Sequence, residues 1–238
     1  MADNVERYMN GTKIDGLDIS HGEASAIAFG KMTLEQYEAY IKNYLNQPAD
    51  GYNNMKRGDA FYKPMLELIE YLQSNNFTVF VVSGTERFIV RAIVDGHINI
   101  PKHNVIGSEF KITAINQKET PGFEYTYKKD DYLILHGEFL LKNLYMNKVH
   151  NIIKEIGKIP ILSFGNSNGD ASMANFVLSN KKNSGLAFML LCDDGEREKG
   201  NQEKANKMKD LCQENGWIPI SMKNDWTTIY GKDVTRKK

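Results

Sequence analysis

Short apolar runs alternate with amphipathic stretches along most of the chain, and this alternation most restricts its possible folds. The runs FTVFVVSG (77–84), IPILSFG (159–165) and LAFMLLCDD (186–194) stay apolar until they end in polar residues. A continuous run of β-branched and aromatic residues is typical of a strand that is buried on both faces. Because helical patterns separate these runs, the sequence predicts an α/β protein with a doubly wound, mostly parallel sheet and right-handed crossovers.

The stretches between these runs carry the periodicity and the end signals of helices. MTLEQYEAYIKNYL offers Thr33 as N-cap and Gln36 three residues later, which is a capping-box pattern. YKPMLELIEYLQSNN has Pro64 in its first turn, where a missing N–H group costs nothing. The other predicted helices are TERFIVRAIVDG, MNKVHNIIKEIG, GDASMANFVLSN and NQEKANKMKDLCQENG, and two further short strands are NVIGSEF and WIPISM. Residues 110–135 hold shorter β-like pieces around NQKETPG and are predicted to be a loop or hairpin insertion.

The composition is that of a globular protein without a strong net charge. Hydrophobic residues make up 41% and charged residues 25% of the 238 residues, which is enough for a sizeable core. Lys and Arg number 30, as do Asp and Glu, so we expect neither a nucleic-acid partner nor a membrane surface. We interpret Cys192 and Cys212 as reduced, packed thiols. Because no run is long enough to span a bilayer and the N-terminus has no secretory-type segment, we expect a cytoplasmic protein.

Polar residues follow three of the predicted strands at the point where each strand ends. The three loops are VVSGT, SFGNSNGD and LLCDDGERE. In doubly wound sheets, ligands bind outside the carboxyl ends of the strands. The three loops together therefore predict one binding site at this edge of the sheet.

The first of these loops and a nearby lysine predict an anion site. Ser83, Gly84 and Thr85 lie between a strand and a predicted helix start, where free N–H groups and the helix dipole favour a phosphate. An ordinary N-cap serine is the alternative for Ser83. Lys148, at the start of MNKVHNIIKEIG, would bring a cation to the same anion. Lys142 competes for that role, and either lysine could instead be a surface residue.

The second loop, GNSNGD, contains a candidate metal site. Asn166 and Asp170 offer one neutral and one anionic oxygen ligand, which suits a hard cation such as Mg²⁺. An Asx-rich turn that caps the following helix is the alternative. In the third loop, Asp193 and Asp194 could orient neighbouring loops or contact a metal-bound water. We favour a third interpretation, an acidic cluster at a helix start.

In order and spacing, these loops resemble the haloacid dehalogenase-like (HAD) hydrolases, in particular their phosphoserine-phosphatase-like branch. Ser83 matches the hydroxyl residue of the second motif, Lys148 the lysine of the third, and GNSNGD the fourth, with Asn166 replacing its first aspartate. The resemblance implies a Rossmann-like core in residues 58–238 and a partial helical cap in residues 1–57. It also implies a Mg²⁺-dependent phosphatase that acts on a small phosphorylated metabolite through an aspartyl-phosphate. The implied site residues are Ser83, Gly84, Thr85 and Lys148 at the phosphate, and Asn166 and Asp170 at the metal.

The family's nucleophile is absent from this chain. Family members attack phosphorus with an aspartate of an Asp-x-Asp motif at the end of the first strand, and no two aspartates here are separated by one residue. We therefore expect a core that lacks its first strand, is inactive by itself and belongs to a shortened or divided enzyme. The neighbouring strands would expose unpaired edges, which favours self-association or pairing with a complementing N-terminal segment.

Two other functions stay open at this point. A complete but non-catalytic phosphate-binding or regulatory module would keep the phosphate-binding residues without the nucleophile. A structural partner completed by a strand from a separate chain would also explain the absent motif.

Overall fold

The structure, a computed structural model, describes residues 19–237. Its helices are α1 (His21–Ala28), α2 (Leu34–Leu45), α3 (Lys63–Ser74), α4 (Arg87–Val94), α5 (Met146–Ile156), α6 (Ala171–Leu178), α7 (Gln202–Asn215) and α8 (Met222–Asp225). Its strands are β1 (Tyr52–Asn53), β2 (Val81–Glu86), β3 (Val105–Ala114), β4 (Leu133–Leu141), β5 (Leu162–Gly165), β6 (Leu186–Leu191), β7 (Ile218–Ser221) and β8 (Thr235–Arg236). None of these helices is both long enough and apolar enough to cross a bilayer.

The strands form two three-stranded sheets and one short ribbon. In the first sheet, β2 pairs in parallel with β3, and β3 pairs antiparallel with β4. In the second sheet, β5, β6 and β7 are parallel and lie in that order. β1 and β8 form the antiparallel ribbon. The α/β class with parallel strands is therefore confirmed.

The two sheets are not joined by strand pairing in the described residues. β2 ends one sheet and β5 ends the other, and these two strands are not hydrogen-bonded partners. The single doubly wound sheet therefore stays a prediction. The segments at β2 and after β5 are connected by side chains and not by backbone hydrogen bonds between neighbouring strands.

Strand β4 forms the second half of a hairpin in the region predicted to be a loop or hairpin insertion. β3 continues to Ala114, and β4 returns antiparallel beside it from Leu133 and extends beyond the predicted region to Leu141. Leu135 is the only fully buried residue of β4, and the others are half-buried or exposed. The sequence of β4, LILHGEFLL, neither alternates regularly between apolar and polar residues nor stays apolar throughout. Neither of these two sequence patterns therefore predicts the strand.

Helices α1 and α2 pack against the first sheet. The capping box of α2 is confirmed, with reciprocal hydrogen bonds of 3.0 and 3.1 Å between Thr33 and Gln36. Tyr37 of α2 is completely buried in the same hydrophobic cluster as Leu135 of β4. Residues 1–18 of the predicted cap lie outside the described residues, and the division into cap and core stays a prediction.

The second sheet has its own hydrophobic cluster, in which Cys212 of α7 packs near Met189 of β6 and Trp217. The indole N–H of Trp217 donates to the Asn175 carboxamide at 2.9 Å, so its polar atom is satisfied although the ring is buried. Cys192, after β6, is half-buried, and both cysteines are free thiols. The carboxyl ends of β5 and β6 lie side by side in this sheet, which brings their two polar loops close together.

Candidate functional site

A buried ion pair between Lys148 and Asp170 lies at the centre of the site. Lys148, in the first turn of α5, is 3% exposed, and Asp170, after β5, is 6% exposed. The Lys148 Nζ lies 2.5 Å from the Asp170 Oδ1 and also donates to the Val82 carbonyl of β2 at 2.7 Å. One charged side chain thus connects the ends of both sheets. Of the two candidate lysines, the structure brings Lys148 to this position and leaves Lys142 exposed.

The other carboxylate oxygen of Asp170 organises the loop after β5. Its Oδ2 accepts the Asn166 N–H at 3.0 Å, the Ser167 N–H at 3.1 Å and the Ser167 hydroxyl at 3.1 Å. These contacts form the Asx-type turn that the sequence offered as the alternative to a metal site. Asn166 lies in the same loop, as predicted, but is exposed.

The donor set does not by itself fit Mg²⁺. The carboxylate of Asp170 already accepts four hydrogen bonds, about as many as its lone pairs can take. One of these comes from the Lys148 ammonium group, which would repel a bound cation. In residues 19–237, no three His, Cys, Asp or Glu side chains are grouped so that they could hold a metal. Mg²⁺ binding at Asn166 and Asp170 therefore stays a prediction.

Ser83, Gly84 and Thr85 lie within the last part of β2, and α4 starts only after Glu86. The Ser83 hydroxyl accepts the Thr85 N–H at 3.0 Å. The Glu86 carboxylate accepts the first N–H groups of α4 at 3.0 and 3.1 Å. The prediction of free N–H groups at this helix start is therefore wrong, because a carboxylate of the chain occupies the anion position. The roles of the three preceding residues in phosphate binding stay predictions.

Burial raises the pKa of the Glu86 carboxyl above its usual value of 4.5, although the helix N–H groups oppose the rise. Glu86 is 5% exposed, so its ionised form depends on those N–H groups for solvation. An added anion near the end of β2 would therefore meet a carboxylate on its α4 side and the Lys148 ammonium group on its α5 side.

Asp193 and Asp194 hold neighbouring segments in place. Asp193 accepts the Ser221 hydroxyl at 2.5 Å and the Lys223 N–H at 3.1 Å, which ties the loop after β6 to the start of α8. Asp194 accepts the backbone N–H and the guanidinium of Arg197 at 2.8 and 2.5 Å. Burial opposes ionisation of Asp194, but the hydrogen bonds from Arg197 outweigh burial and lower its pKa. Of the three interpretations given for Asp193 and Asp194, these contacts match the one in which both residues orient neighbouring loops.

The sequence does not predict a group of buried polar residues that connects β2 and β3 to α5. Asn143 is completely buried, and its side chain donates to the Ser83 carbonyl at 2.9 Å. The Asn143 N–H donates to the Ser108 hydroxyl at 3.0 Å, and Ser108 donates to the Gly84 carbonyl at 2.7 Å. Asn151 of α5 donates to the Asn143 carboxamide at 3.0 Å. No sequence signal marks these residues, because asparagine and serine are mostly exposed in proteins.

These contacts also limit the expectation of unpaired strand edges. The Val82 carbonyl of β2 accepts a hydrogen bond from the Lys148 ammonium group, and the Ser83 carbonyl accepts one from the Asn143 carboxamide. Buried backbone carbonyls need donors, and here two long polar side chains supply them where a neighbouring strand would otherwise do so. The expectation of an exposed edge therefore does not hold for these two groups.

The segment that carries Lys148 lies close against both loops. A Cβ atom placed on Gly84 would lie 2.6 Å from the Leu144 Cδ2, and one on Gly169 would lie 2.9 Å from it. The Tyr145 N–H donates to the Gly169 carbonyl at 2.9 Å. Tyr145 has a φ of 51°, in the left-handed region that residues other than glycine rarely adopt. Strain of this kind persists where the surroundings hold it, and it is common at functional sites.

Comparisons with known proteins add little to this geometry. No protein-family model matches the chain, and no curated protein matches it. Among solved structures, the chain is similar to a phosphoserine phosphohydrolase-like protein from Francisella tularensis subsp. tularensis SCHU S4. The identity is 15% and the TM-score 0.40, over 87% of this chain and 76% of that one. A TM-score of this size carries no argument about family or function.

Proposed function

We propose that the chain is the phosphate-binding part of a HAD-like phosphatase that acts on a small phosphorylated metabolite through an aspartyl-phosphate. The 238 residues contain no Asp-x-Asp pair, so in this proposal the nucleophile comes from outside them. By itself the chain then binds phosphate without turnover. The buried ion pair between Lys148 and Asp170, at the ends of β2 and β5, is the observation that carries the proposal.

Lys148 has the chemistry that phosphate binding requires. Its ammonium group has three N–H donors, of which the Val82 carbonyl and the Asp170 carboxylate take two. The third can donate to a phosphoryl oxygen. Ser83 directly follows Val82 in β2, and its hydroxyl would add a directional hydrogen bond to the phosphate. These groups stabilise negative charge but do not attack phosphorus, which is why turnover needs a further residue.

A buried lysine held by an aspartate also keeps its geometry fixed before the ligand arrives. Charge stabilisation by preorganised donors in a water-poor site is stronger than in water, since nothing has to reorient. Asp170 therefore acts in this proposal as the residue that positions Lys148. The Asp170 carboxylate already accepts four hydrogen bonds. Whether the phosphatase reaction depends on Mg²⁺ therefore has to be measured in the intact enzyme.

Titration calorimetry of the purified 238-residue chain with inorganic phosphate tests the binding part. We expect saturable binding that is lost in Lys148→Met and retained in Lys142→Met, the matched control at an exposed lysine. Since Lys148→Met removes a buried charge and could unfold the chain, Ser83→Ala provides a second variant, with binding weakened about tenfold and the fold retained. Binding that is unchanged in both Lys148→Met and Ser83→Ala would refute the proposal.

A non-catalytic phosphate-binding or regulatory module is the second candidate. The contacts of Asp170 favour it, because three donors share its Oδ2 and the Lys148 ammonium group, which would repel a metal ion, lies at its Oδ1. Turnover of p-nitrophenyl phosphate separates the two candidates. Mg²⁺-dependent turnover by the 238-residue chain that disappears in Asp170→Asn would exclude the non-catalytic module, and it would also show that no outside nucleophile is needed.

A complementing partner is part of this proposal, because β2 and β5 are each the last strand of a sheet. A strand from a second copy or from another segment could pair with the outer edge of either one. Light scattering of the purified chain tests self-association directly. A monomer at micromolar concentration would exclude a second copy as the complementing partner and leave the phosphate proposal untouched.

A further inference from the structure

A separate cleft of about 370 Å³ shares no lining residue with the site around Lys148 and Asp170. Its walls come from the segment between α2 and α3, from Lys199 after β6, and from Tyr230 near the C-terminus. The volume lies in the range of small-molecule sites, roughly 300–1,000 Å³. The cleft depends on three segments that are distant in sequence, so sequence patterns do not reveal it.

Two of its tyrosines are held rigidly by one buried carboxylate. Glu198, which is 8% exposed, accepts the Tyr52 hydroxyl at 2.5 Å with one oxygen and the Tyr230 hydroxyl with the other. The two rings meet edge to face with centroids 5.3 Å apart. Hydrogen-bonded aromatic rings of this kind offer contact area that loses little freedom when a ligand binds.

Two cationic side chains lie beside these rings. The guanidinium of Arg57 lies over the Tyr44 ring, 4.4 Å from its centroid, and donates to Asp50 at 2.6 Å. Its Nε is buried and has no hydrogen-bond partner in the described part of the chain, so part of its donor capacity is unused. Lys199 is exposed and makes no ion pair within residues 19–237. The lining thus carries two positive charges against the single negative charge of Asp50.

We infer that this cleft binds a small anion that carries a flat aromatic ring. The exposed Tyr44 ring and the Arg57 guanidinium beside it offer faces on which a planar ligand stacks, whereas Tyr52 is 7% exposed and only supports the wall. Lys199 supplies the unpaired positive charge for a carboxylate or phosphate group on that ligand. This inference does not depend on the function proposed for Lys148 and Asp170.

Titration calorimetry with phenylphosphonate tests the inference, because this probe has both the ring and the anion and lacks a hydrolysable ester bond. We expect saturable binding to the 238-residue chain, weakened about tenfold in Lys199→Gln. Lys204→Gln is the matched control, since Lys204 is an exposed lysine on α7 that does not line the cleft, and its binding should equal that of the wild type. Methylphosphonate, without the ring, and benzyl alcohol, without the charge, should each bind at least about tenfold more weakly.

Several results would overturn the inference. These are no saturable binding of phenylphosphonate up to about 10 mM, equal affinity of Lys199→Gln and Lys204→Gln, and equal affinity for methylphosphonate and phenylphosphonate. Loss of binding in Lys148→Met together with full binding in Lys199→Gln would place the probe at the other site and would equally refute the cleft. Because Lys199 is exposed, its substitution leaves the fold intact and the comparison interpretable.

Discussion

Replacing Asp170 by asparagine should destabilise the protein strongly, because it leaves the Lys148 ammonium group buried without a counter-charge. Both side chains are more than nine-tenths buried, and the atoms that pair lie 2.5 Å apart. Breaking a buried pair by removing one partner costs about 3–5 kcal/mol. For a chain of this size, each kcal/mol lowers the melting temperature by about 2–4 °C, so we expect a decrease of about 6–20 °C.

The contacts of Asp170 explain why most of this loss should come from the charge. Asparagine has the same shape, and its single oxygen can still accept some of the three donors of the loop at Asn166 and Ser167. Its amide nitrogen would then face the Lys148 Nζ, with a donor opposite a donor. Lys148→Met in the same chain removes the stranded charge, so the double variant should lose at least about 1 kcal/mol less than the sum of the two single variants.

Urea unfolding followed by circular dichroism gives the free energies for this cycle. Glu203→Gln is the control, because Glu203 pairs with Lys207 on the exposed face of α7 with 77% and 71% of the side chains accessible. Such exposed ion pairs contribute little to stability, so the urea unfolding midpoint of Glu203→Gln should equal that of the wild type. A loss below about 1 kcal/mol for Asp170→Asn, or strict additivity with Lys148→Met, would contradict the importance of the buried pair.

Three further changes test other parts of the structure. Gly107→Ala on β3 would place its Cβ 2.7 Å from the Arg87 backbone, so urea unfolding should show a loss of about 1–3 kcal/mol, and an unchanged midpoint would mean that the two backbones can separate freely. Burial raises the pKa of Glu86 above 4.5, so its contribution to stability is full below that value and is lost as the pH rises through the raised pKa. The unfolding free energy of Glu86→Gln should therefore increase relative to wild type as the pH rises above 4.5, and a constant difference would argue against the raised pKa. Hydrogen bonds from Arg197 lower the pKa of Asp194 below 3.8, so its stabilisation is present above that value and is lost as the pH falls through the lowered pKa. Asp194→Asn should then be less stable than wild type at neutral pH, with a difference that shrinks in acid, and a difference that grows in acid would contradict this assignment.

Much of the local structure follows from the order of the residues. The apolar runs that end near Ser83, Gly165 and Asp193 become β2, β5 and β6, and the capping box at Thr33 forms as predicted. These features depend on neighbours within a few residues, where periodicity and capping chemistry act directly. The family resemblance placed Lys148, with Lys142 as the alternative, and Asp170 in one predicted site, but as phosphate and metal ligands and not as the ion pair that the structure shows.

Other features exist only because distant segments meet. Glu86 takes the N–H groups that an anion was expected to use, and Asn143 takes a carbonyl that a neighbouring strand would otherwise pair with. No local sequence pattern predicts either contact, because a buried polar group forms its hydrogen bond with whichever donor or acceptor the packing brings close to it. The sequence thus determined most of the helices, the three apolar strands β2, β5 and β6, and the polar residues at their ends. The tertiary structure alone decided which of those residues stay available to a ligand, because burial and hydrogen bonding depend on contacts across the whole fold.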